Sequence, residues 1–578
     1  MEITAFKANL NQVDTRTQYM VARFEAPITG LILEGFQAIA KRTAIPFGRI
    51  TIAVGPNSAG KSAILDAIEI YNTLISDPEC KQPRYQSASL KSKLERHWRR
   101  DDEKGSLCSR MTLAVERRLD FDLRESIAEE IERSVRGKVS RPLHSTVQHE
   151  WVFLRDVRAE NHLLIDRVRY RLKVNETVLL EAADSGISLN IKHPSIDGIR
   201  FRVNFQKIAE KYPTLCSYAT GVFRIPKRVY GFSISSTSGE NPLTYLPFGL
   251  FKKKDDPEGL AEESAAGEGA PDDMRRVLAE ISEIAAGLTS ATCASPQYNP
   301  SLVPASRQVP TQKDLTFHLQ QSQFLYPIAE EENLSLGGME EYRSLAESAL
   351  QDWLIESSKS KRSNSESSSL LKGVNSALSN HLFLEKGYRI SCSVRSLLDE
   401  HATQMRMQHS EIQDYFLGAD SFLVELRLKD SIGRVHRFED VGSGIGYVLP
   451  VLISMNRGPG LGSTSIIQQP ELHLHPALQA ALADTFLDGS SSGNNVVIET
   501  HSEYIILRIL RRVRQTSLKI QIAKELSIYP DDVFIVYFNP KPTGETEIKR
   551  LRISEDGEFL DRWPRGFFAE RDVELFDE

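Results

Sequence analysis

Gly55-Pro-Asn-Ser-Ala-Gly-Lys-Ser62 is the stretch of sequence that decides the fold, because it fits the phosphate-loop pattern G-x-x-x-x-G-K-[ST]. The β-branched run Arg49–Val54 before it predicts a strand, and the residues from Lys61 to Leu74 predict a helix. A glycine loop between a strand and a helix is the context that this pattern requires. The sequence therefore predicts a P-loop in which backbone N–H groups and the helix N-terminus cradle phosphates.

Two residues of this predicted loop have roles of their own. The Lys61 ammonium would reach the β- and γ-phosphate oxygens of ATP, and the Ser62 hydroxyl would bind magnesium. The predicted ligands are therefore ATP and Mg²⁺. The other predicted nucleotide-binding residues of the loop are Gly55, Pro56, Asn57, Ser58, Ala59 and Gly60.

The bulk properties are those of an ordinary globular protein. At 578 residues the chain is long enough for several domains. Its net charge of −7 excludes a uniformly basic nucleic-acid binder. The five cysteines show no CxxC spacing, so neither a zinc site nor a disulfide framework is expected. The sequence begins without an apolar leader and contains no long apolar run, which predicts a cytoplasmic protein without membrane contact.

Composition divides the chain into three regions. Residues 1–80 are predicted to form an N-terminal lobe of an ATPase domain, residues 81–385 an inserted arm of mostly helical or mixed structure, and residues 386–578 a C-terminal lobe. Two stretches with few large apolar residues, 252–273 and 356–369, are predicted to be flexible linkers within the arm.

The C-terminal lobe alternates predicted strands and helices. Strands are expected at 464–467 and 495–499, with a helix after Pro476 and another after Ser502. Such alternation is typical of a mostly parallel sheet. The simplest arrangement joins the two lobes in one α/β nucleotide-binding domain, with the middle of the chain inserted.

Three further motifs follow the P-loop in chain order. The glycine-rich segment Asp440-Val-Gly-Ser-Gly-Ile-Gly-Tyr-Val-Leu-Pro450 is predicted to be a loop at 442–446. The segment Ser465-Ile-Ile-Gln-Gln-Pro-Glu-Leu-His-Leu-His-Pro476 ends one buried strand, and Glu499-Thr-His-Ser-Glu503 ends the next. Taken singly, each has an ordinary structural explanation as a turn, a surface histidine or a helix entry. Their order, and the places of the last two at strand ends, favour one joint nucleotide site.

In this order the motifs resemble those of the ABC-type ATPases of the OLD, RecF and SMC group. The resemblance covers the P-loop region and the C-terminal lobe, and it implies an ABC-type P-loop ATPase domain, a mixed sheet with flanking helices. It implies that His501 approaches the γ-phosphate. It also implies that the signature loop, with Ser443 and Gly444, caps a γ-phosphate bound by the opposite subunit of an ATP-dependent dimer or higher oligomer.

One departure from the group affects the chemistry. Where two carboxylates are usual, this chain has Gln468 and Gln469. The resemblance makes Gln468, with Ser62, the candidate metal site, and Gln469 a candidate catalytic residue that lacks a basic group. Glu471 is the nearest carboxylate in the sequence, and with His501 it completes the candidate catalytic set.

The glutamine pair predicts an ATPase that binds ATP well and hydrolyses it slowly or not at all. A γ-phosphate that persists would favour a long-lived ATP-closed dimer. The alternative is that another carboxylate supports turnover, since similar members of a bacterial branch of the group also carry Gln-Pro-Glu at this place.

Two basic runs, Lys91–Arg100 and Arg508–Arg514, have the charge to neutralise phosphates of DNA. Solvated helix faces are the alternative explanation, and the acidic net charge of the chain favours it. We see no nuclease constellation in the sequence, so any nuclease is expected on another chain.

Two functions follow from these observations. The first is the ATPase subunit of a prokaryotic anti-phage defence complex, similar to Septu and retron-associated ATPases, acting as an ATP-dependent sensor or scaffold for a separate nuclease. The resemblance implies a nuclease of HNH type, and in retron-like systems a reverse transcriptase with its nucleic acid. The alternative is an SMC/RecF-like DNA-repair ATPase that clamps or loads onto DNA. The lack of sustained heptads between residues 75 and 440 and the glutamine pair favour the first.

Overall fold

A computed structural model describes the chain in segments. The described residues are 27–76, 88–100, 107–119, 145–155, 165–183, 186–189, 223–224, 232–234, 300–307, 309–311, 313–320, 339–358, 369–383, 387–396, 421–456, 464–491 and 493–562. The predicted linker 252–273 lies outside them. Of the second predicted linker, residues 359–368 also lie outside them, and the first three residues end a helix. Residues 563–578 also lie outside the described residues.

The strands are numbered along the chain. They are β1 Ile28–Glu34, β2 Thr43–Pro46, β3 Ile50–Val54, β4 Arg110–Leu119, β5 Ser145–Arg155, β6 Ile165–Val174, β7 Thr177–Ala183, β8 Gly186–Leu189, β9 Phe223–Arg224, β10 Phe232–Ile234, β11 Ser301–Val303, β12 Thr316–Gln320, β13 Arg389–Ser396, β14 Ser421–Lys429, β15 Val435–His436, β16 Thr464–Gln468, β17 Asn495–Glu499, β18 Val533–Pro540 and β19 Thr546–Leu551.

The α-helices are numbered in the same way. They are α1 Ala63–Ser76, α2 Ala88–His97, α3 Met339–Ser358, α4 Ser369–Ala377, α5 Ser443–Asn456, α6 Pro476–Ser491 and α7 Glu503–Ser517. In the described part of the chain, no helix combines the length and the apolar character that crossing a membrane requires.

A six-stranded sheet in the order β11-β16-β17-β3-β18-β19 positions the nucleotide motifs. Its first five strands are parallel, and β19 returns antiparallel to β18. Every residue of Ile50–Val54 is buried, as expected for a parallel strand covered on both faces. Strand β17 ends in the segment Glu499–Glu503, called the switch motif because it carries His501. This strand lies between the P-loop strand β3 and β16, so the three motifs end at one edge of the sheet.

Two antiparallel sheets complete the fold. The first has nine described strands in the order β2-β1-β4-β5-β6-β7-β8-β10-β9, and the second joins β12, β14 and β13, with β15 added to β14. Helices α3, α4 and α5 share a hydrophobic core with the second sheet and with the six-stranded sheet. Helix α5 is apolar nearly all round, and ten of its 14 residues are buried, as expected for a helix enclosed by core.

The predicted fold class is confirmed, since N-terminal and C-terminal segments build one α/β domain with a mixed sheet and flanking helices. Strand β11, Ser301–Val303, pairs in parallel with β16, so residues from the middle of the chain also enter the central sheet. The domain boundaries at 80 and 385 stay predictions. The predicted loop at 442–446 is wrong in one respect, because helix α5 begins at Ser443.

Candidate active site

The P-loop follows β3 directly, and its glycines are required by its shape. Gly55 has a φ of +149°, and a side chain there would place its Cβ 2.5 Å from the Phe538 carbonyl oxygen. Gly60 has a φ of +87°, a value that only glycine adopts without strain. The backbone can therefore bend closely around a ligand between the end of β3 and the start of α1, as the predicted phosphate cradle needs.

Lys61 lies folded back onto this loop. Its Nζ donates hydrogen bonds to the carbonyl oxygens of Gly55, at 3.0 Å, and Pro56, at 2.8 Å, and the side chain is only 5% exposed. Burial lowers the pKa of Lys61, and the carboxylates of Glu499 and Glu471 oppose that shift. The cation is thus held at the loop by weak neutral acceptors, which phosphate oxygens can replace with stronger charge-assisted bonds.

The Ser62 hydroxyl, the candidate magnesium ligand, contacts a carboxylate across the sheet edge. Its Oγ lies 3.2 Å from Oε1 and 3.3 Å from Oε2 of Glu499. Ser62 comes immediately before α1, so both groups lie at a helix N-terminus that favours anionic ligands. The residues Asn57 and Ser58 of the same loop are exposed, whereas Ala59 is buried.

Gln468 is the last residue of β16 and lies opposite Glu499 in the parallel register. Its Nε2 donates to Oε2 of Glu499 at 2.9 Å, and its Oε1 accepts from the backbone N–H of Ala305 at 3.2 Å. Gln469 has a φ of +42°, and its N–H donates to the Glu499 carbonyl oxygen at 2.7 Å. The Gln468 amide and the Gln469 backbone therefore lie at the site, and Glu499 supplies a carboxylate there.

Glu499 is the residue that sequence reasoning missed as a site carboxylate. It is 9% exposed, and burial raises its pKa, while the charge of Lys61 and the hydrogen bonds from Gln468 and Ser62 act in the opposite direction. The sequence does place Glu499 at the end of a predicted strand. Only the pairing of β17 with both β3 and β16 brings it between Ser62 and Gln468.

Glu471, the candidate substitute carboxylate, is held by the switch segment. One carboxylate oxygen accepts from the Thr500 hydroxyl at 2.8 Å, and the other from the backbone N–H of His501 at 2.8 Å. Burial raises the pKa of Glu471, and these hydrogen bonds oppose the shift. The carboxylate therefore fixes the shape of the turn that carries His501.

His501 is half-buried at the start of the segment leading into α7. Burial, and then the nearby charge of Lys61, lower the pKa of His501, which keeps its ring neutral near pH 7. The next residue, Ser502, caps α7 by accepting the N–H of Ile505 at 3.3 Å. This cap fixes the backbone on the C-terminal side of His501.

The signature segment forms the N-terminus of α5. Ser443 is exposed, and a Cβ on Gly444 would lie 3.1 Å from the His473 carbonyl oxygen. The Tyr447 ring stacks on His473, with 4.3 Å between ring centroids. These contacts join the signature helix to the turn after β16, while exposed Ser443 places the N-terminus of the helix at the surface, where it can bind an anion.

Arg307 is a second site residue that sequence reasoning missed. The residue is 3% exposed, and its guanidinium donates to four carbonyl oxygens, at distances of 2.7–3.1 Å. Burial lowers the pKa of Arg307 to about 10, and Glu471 is the main opposing charge. Arg307 thereby ties the loop after β11 to the turn after β16 and to the signature helix. The four acceptors belong to Pro304, Tyr447, Gln468 and Gln469.

Most described side chains of the two basic runs have structural partners. In the first run, Trp98 is buried and donates to the Cys108 carbonyl oxygen at 2.7 Å, and Lys93 pairs with Glu69 at 2.8 Å. In the second, Arg508 and Arg512 both bind Asp484 at 2.8–3.0 Å. Arg514 pairs with Glu558. These contacts favour the structural explanation over a DNA surface.

The site fits ATP with magnesium on three observations. The loop turns through positive φ values at Gly55 and Gly60, a buried lysine lies in it, and a hydroxyl and a carboxylate offer hard oxygen atoms at the helix N-terminus. A hydroxyl with a carboxylate is a donor set that magnesium prefers. In the described residues, no cluster of three or more histidine, cysteine or carboxylate side chains offers a separate metal site.

Comparison with known proteins gives a family match and distant structural likenesses. The family described as "AAA domain, putative AbiEii toxin, Type IV TA system" matches residues 301–508, which include the signature, the β16 motif and the switch but not the P-loop. A search of curated proteins finds no match.

Similar solved structures include heads of SMC proteins. One is an SMC head bound to the C-winged helix domain of ScpA, with 11% identity and a TM-score of 0.35, covering 91% of this chain and 98% of that chain. The head from Thermotoga maritima has 9% identity and a TM-score of 0.33, with 91% and 100% covered. The head from Pyrococcus yayanosii has 10% identity and a TM-score of 0.36, with 96% and 100% covered. We draw no functional conclusion from likenesses this distant.

Proposed function

We propose that this protein binds ATP with Mg²⁺ at the P-loop and that the bound nucleotide joins two copies of the chain. The observation that supports this most strongly is the meeting of Lys61, Ser62 and Glu499 at the carboxyl ends of adjacent parallel strands. Ligands of α/β sheets bind at that edge. The motifs come from segments more than four hundred residues apart, and chance would not bring them to one edge.

Each site residue has a defined task in this proposal. Backbone N–H groups of the loop from Gly55 to Gly60 and the N-terminus of α1 bind the phosphates, and Lys61 turns from the loop carbonyls to the phosphate oxygens. Ser62 and Gln468 lie where the metal is expected. Bound magnesium would neutralise charge on the phosphates.

The signature segment supports the proposed dimer. Ser443 and Gly444 begin a helix of 14 residues, and Ser443 is exposed, so the N-terminus of this helix can meet an anion from outside the chain. We propose that this anion is the γ-phosphate held by the second copy. The contact between α5 and the turn after β16 would then report dimer closure to the hydrolytic residues.

Hydrolysis is proposed to be slow. Gln469 carries no basic group, and both carboxylate oxygens of Glu471 accept hydrogen bonds from the switch segment. His501, neutral near pH 7, can contact the γ-phosphate without adding repulsion against Lys61. Such a site would keep ATP bound and the dimer closed for a long time.

The role that we propose for the closed dimer is that of a sensor or scaffold in an anti-phage defence complex. The description of the family that matches residues 301–508 names a putative AbiEii toxin and a toxin–antitoxin system, which supports a defence setting. In this proposal ATP occupancy restrains or releases a separate nuclease of HNH type, with a reverse transcriptase and its nucleic acid as a further partner. The complex would work in the cytoplasm.

Light scattering coupled to size-exclusion chromatography tests the dimer. Wild-type protein with ATP and Mg²⁺ should double its mass, and Ser443→Trp should stay monomeric while binding ATP normally. A matched Ser431→Trp variant, at another exposed position, should behave as wild type. Dimerisation of Ser443→Trp with ATP would remove the signature segment from the interface.

A further inference from the structure

The side chain that faces the Ser62 hydroxyl is a carboxylate from a neighbouring strand. Gln468 occupies the usual acidic position on β16, but its cross-strand partner in the parallel register is Glu499 on β17. The Ser62 hydroxyl lies within 3.3 Å of both Glu499 oxygens, and the Gln468 amide donates to one of them at 2.9 Å. The negative charge absent from β16 is therefore present one strand away.

The placement of Glu499 is costly unless a cation uses it. It is 9% exposed, and a buried carboxylate loses hydration that neutral donors replace only in part. Its described partners are the neutral donors Ser62 and Gln468, with Lys61 as a nearby charge rather than a hydrogen-bond partner, since the Lys61 Nζ donates to loop carbonyls. A glutamine would satisfy the same two neighbours without that cost.

The other carboxylate of the site, which is partly buried, is engaged differently. Glu471 accepts the Thr500 hydroxyl on one oxygen and the His501 N–H on the other, so it stabilises the switch turn. Ser62, the P-loop hydroxyl, contacts Glu499. Glu499 therefore lies against the P-loop hydroxyl, whereas Glu471 lies against the turn that carries His501.

We infer that Glu499 supplies the carboxylate of the magnesium site and that Gln468 is its positioning residue. The Gln468 amide accepts from Ala305 and donates to Glu499, which fixes the carboxylate against Ser62. This inference rests on the proposed binding of ATP with Mg²⁺. With Glu499 in this role, the glutamine pair removes the base for hydrolysis but leaves magnesium binding in place.

The test measures how much Mg²⁺ strengthens ATP binding. ATP affinity is titrated calorimetrically with EDTA and with Mg²⁺, for wild type, Glu499→Gln, Glu471→Gln and the exchange variant Gln468→Glu/Glu499→Gln. Electron paramagnetic resonance of Mn²⁺ with ATP reports metal binding directly, and circular dichroism melting checks that each variant is folded.

The factor by which Mg²⁺ strengthens ATP binding should be at least about tenfold smaller in Glu499→Gln than in wild type. The ATP affinity of this variant in EDTA should stay within about twofold of wild type. Glu471→Gln should keep the gain, and the exchange variant should recover part of it because the carboxylate returns one strand away. A full Mg²⁺ gain in folded Glu499→Gln would overturn the inference and leave the proposed function standing. Absence of ATP binding by the wild type would overturn both.

Discussion

Replacing Arg307 with methionine should destabilise the nucleotide site far more than a surface change would. Methionine keeps the aliphatic stem and removes every donor. Four partly buried carbonyl oxygens would then lose a charged partner that now lies at 2.7–3.1 Å. Each such bond contributes about 1.5–3 kcal/mol alone, but the four share one guanidinium and are not additive.

The expected loss is therefore close to that for breaking a buried charged network, about 3–5 kcal/mol. Glu471 adds to it, because Arg307 is a cation that opposes the burial-driven rise in the pKa of Glu471. For a domain of this size each kcal/mol lowers the melting temperature by about 2–4 °C, which predicts a fall of about 6–20 °C.

Circular dichroism melting of the protein without nucleotide measures this fall. Arg434→Met is the control, since the Arg434 side chain is 71% exposed and its ion pair with Asp430 should contribute little. Arg307→Lys should be intermediate because one ammonium cannot reach all four acceptors. An Arg307→Met protein that melts within about 2 °C of wild type would refute the assignment of this residue as a tie between the signature helix and the turn after β16.

Two further predictions concern the hydrolytic side of the site. Burial and Lys61 lower the pKa of His501 below 6.5, so the folded state binds fewer protons there, and stability present above pH 6.5 is lost as pH falls through the folded pKa. Melting temperatures between pH 7.5 and 5.5 should therefore fall more steeply for wild type than for His501→Gln, with His318→Gln as the control, and equal slopes would contradict this. Gln469→Glu should raise steady-state ATP turnover at least about tenfold by adding a general base, and an unchanged rate with intact ATP binding would show that base placement is not limiting.

The local elements of the fold could be predicted because the sequence signals them directly. The strand before Gly55 is five β-branched or apolar residues with full burial, and the helix after Ser502 has a cap and an apolar face. The alternation of strands and helices in the C-terminal lobe gave the parallel sheet.

The contents of the site were harder to predict, since they depend on strand order. Glu499 acts next to Gln468 because β17 lies beside β16 in register, and sequence spacing carries no signal for that pairing. Arg307 belongs to no motif and reaches the site through the short edge strand β11. The sequence predicts a loop where α5 begins at Ser443, because glycines on both sides of Ser443 hide the helical pattern.

The central claim is that ATP binds at the P-loop, and the most direct measurement is a calorimetric titration of ATP with Mg²⁺ into wild type and Lys61→Ala. We predict saturable binding to wild type and a loss of at least about tenfold in affinity for Lys61→Ala, because a charge-assisted bond to phosphate contributes about 1.5–3 kcal/mol. Equal affinities for the two proteins, with both folded, would contradict the claim.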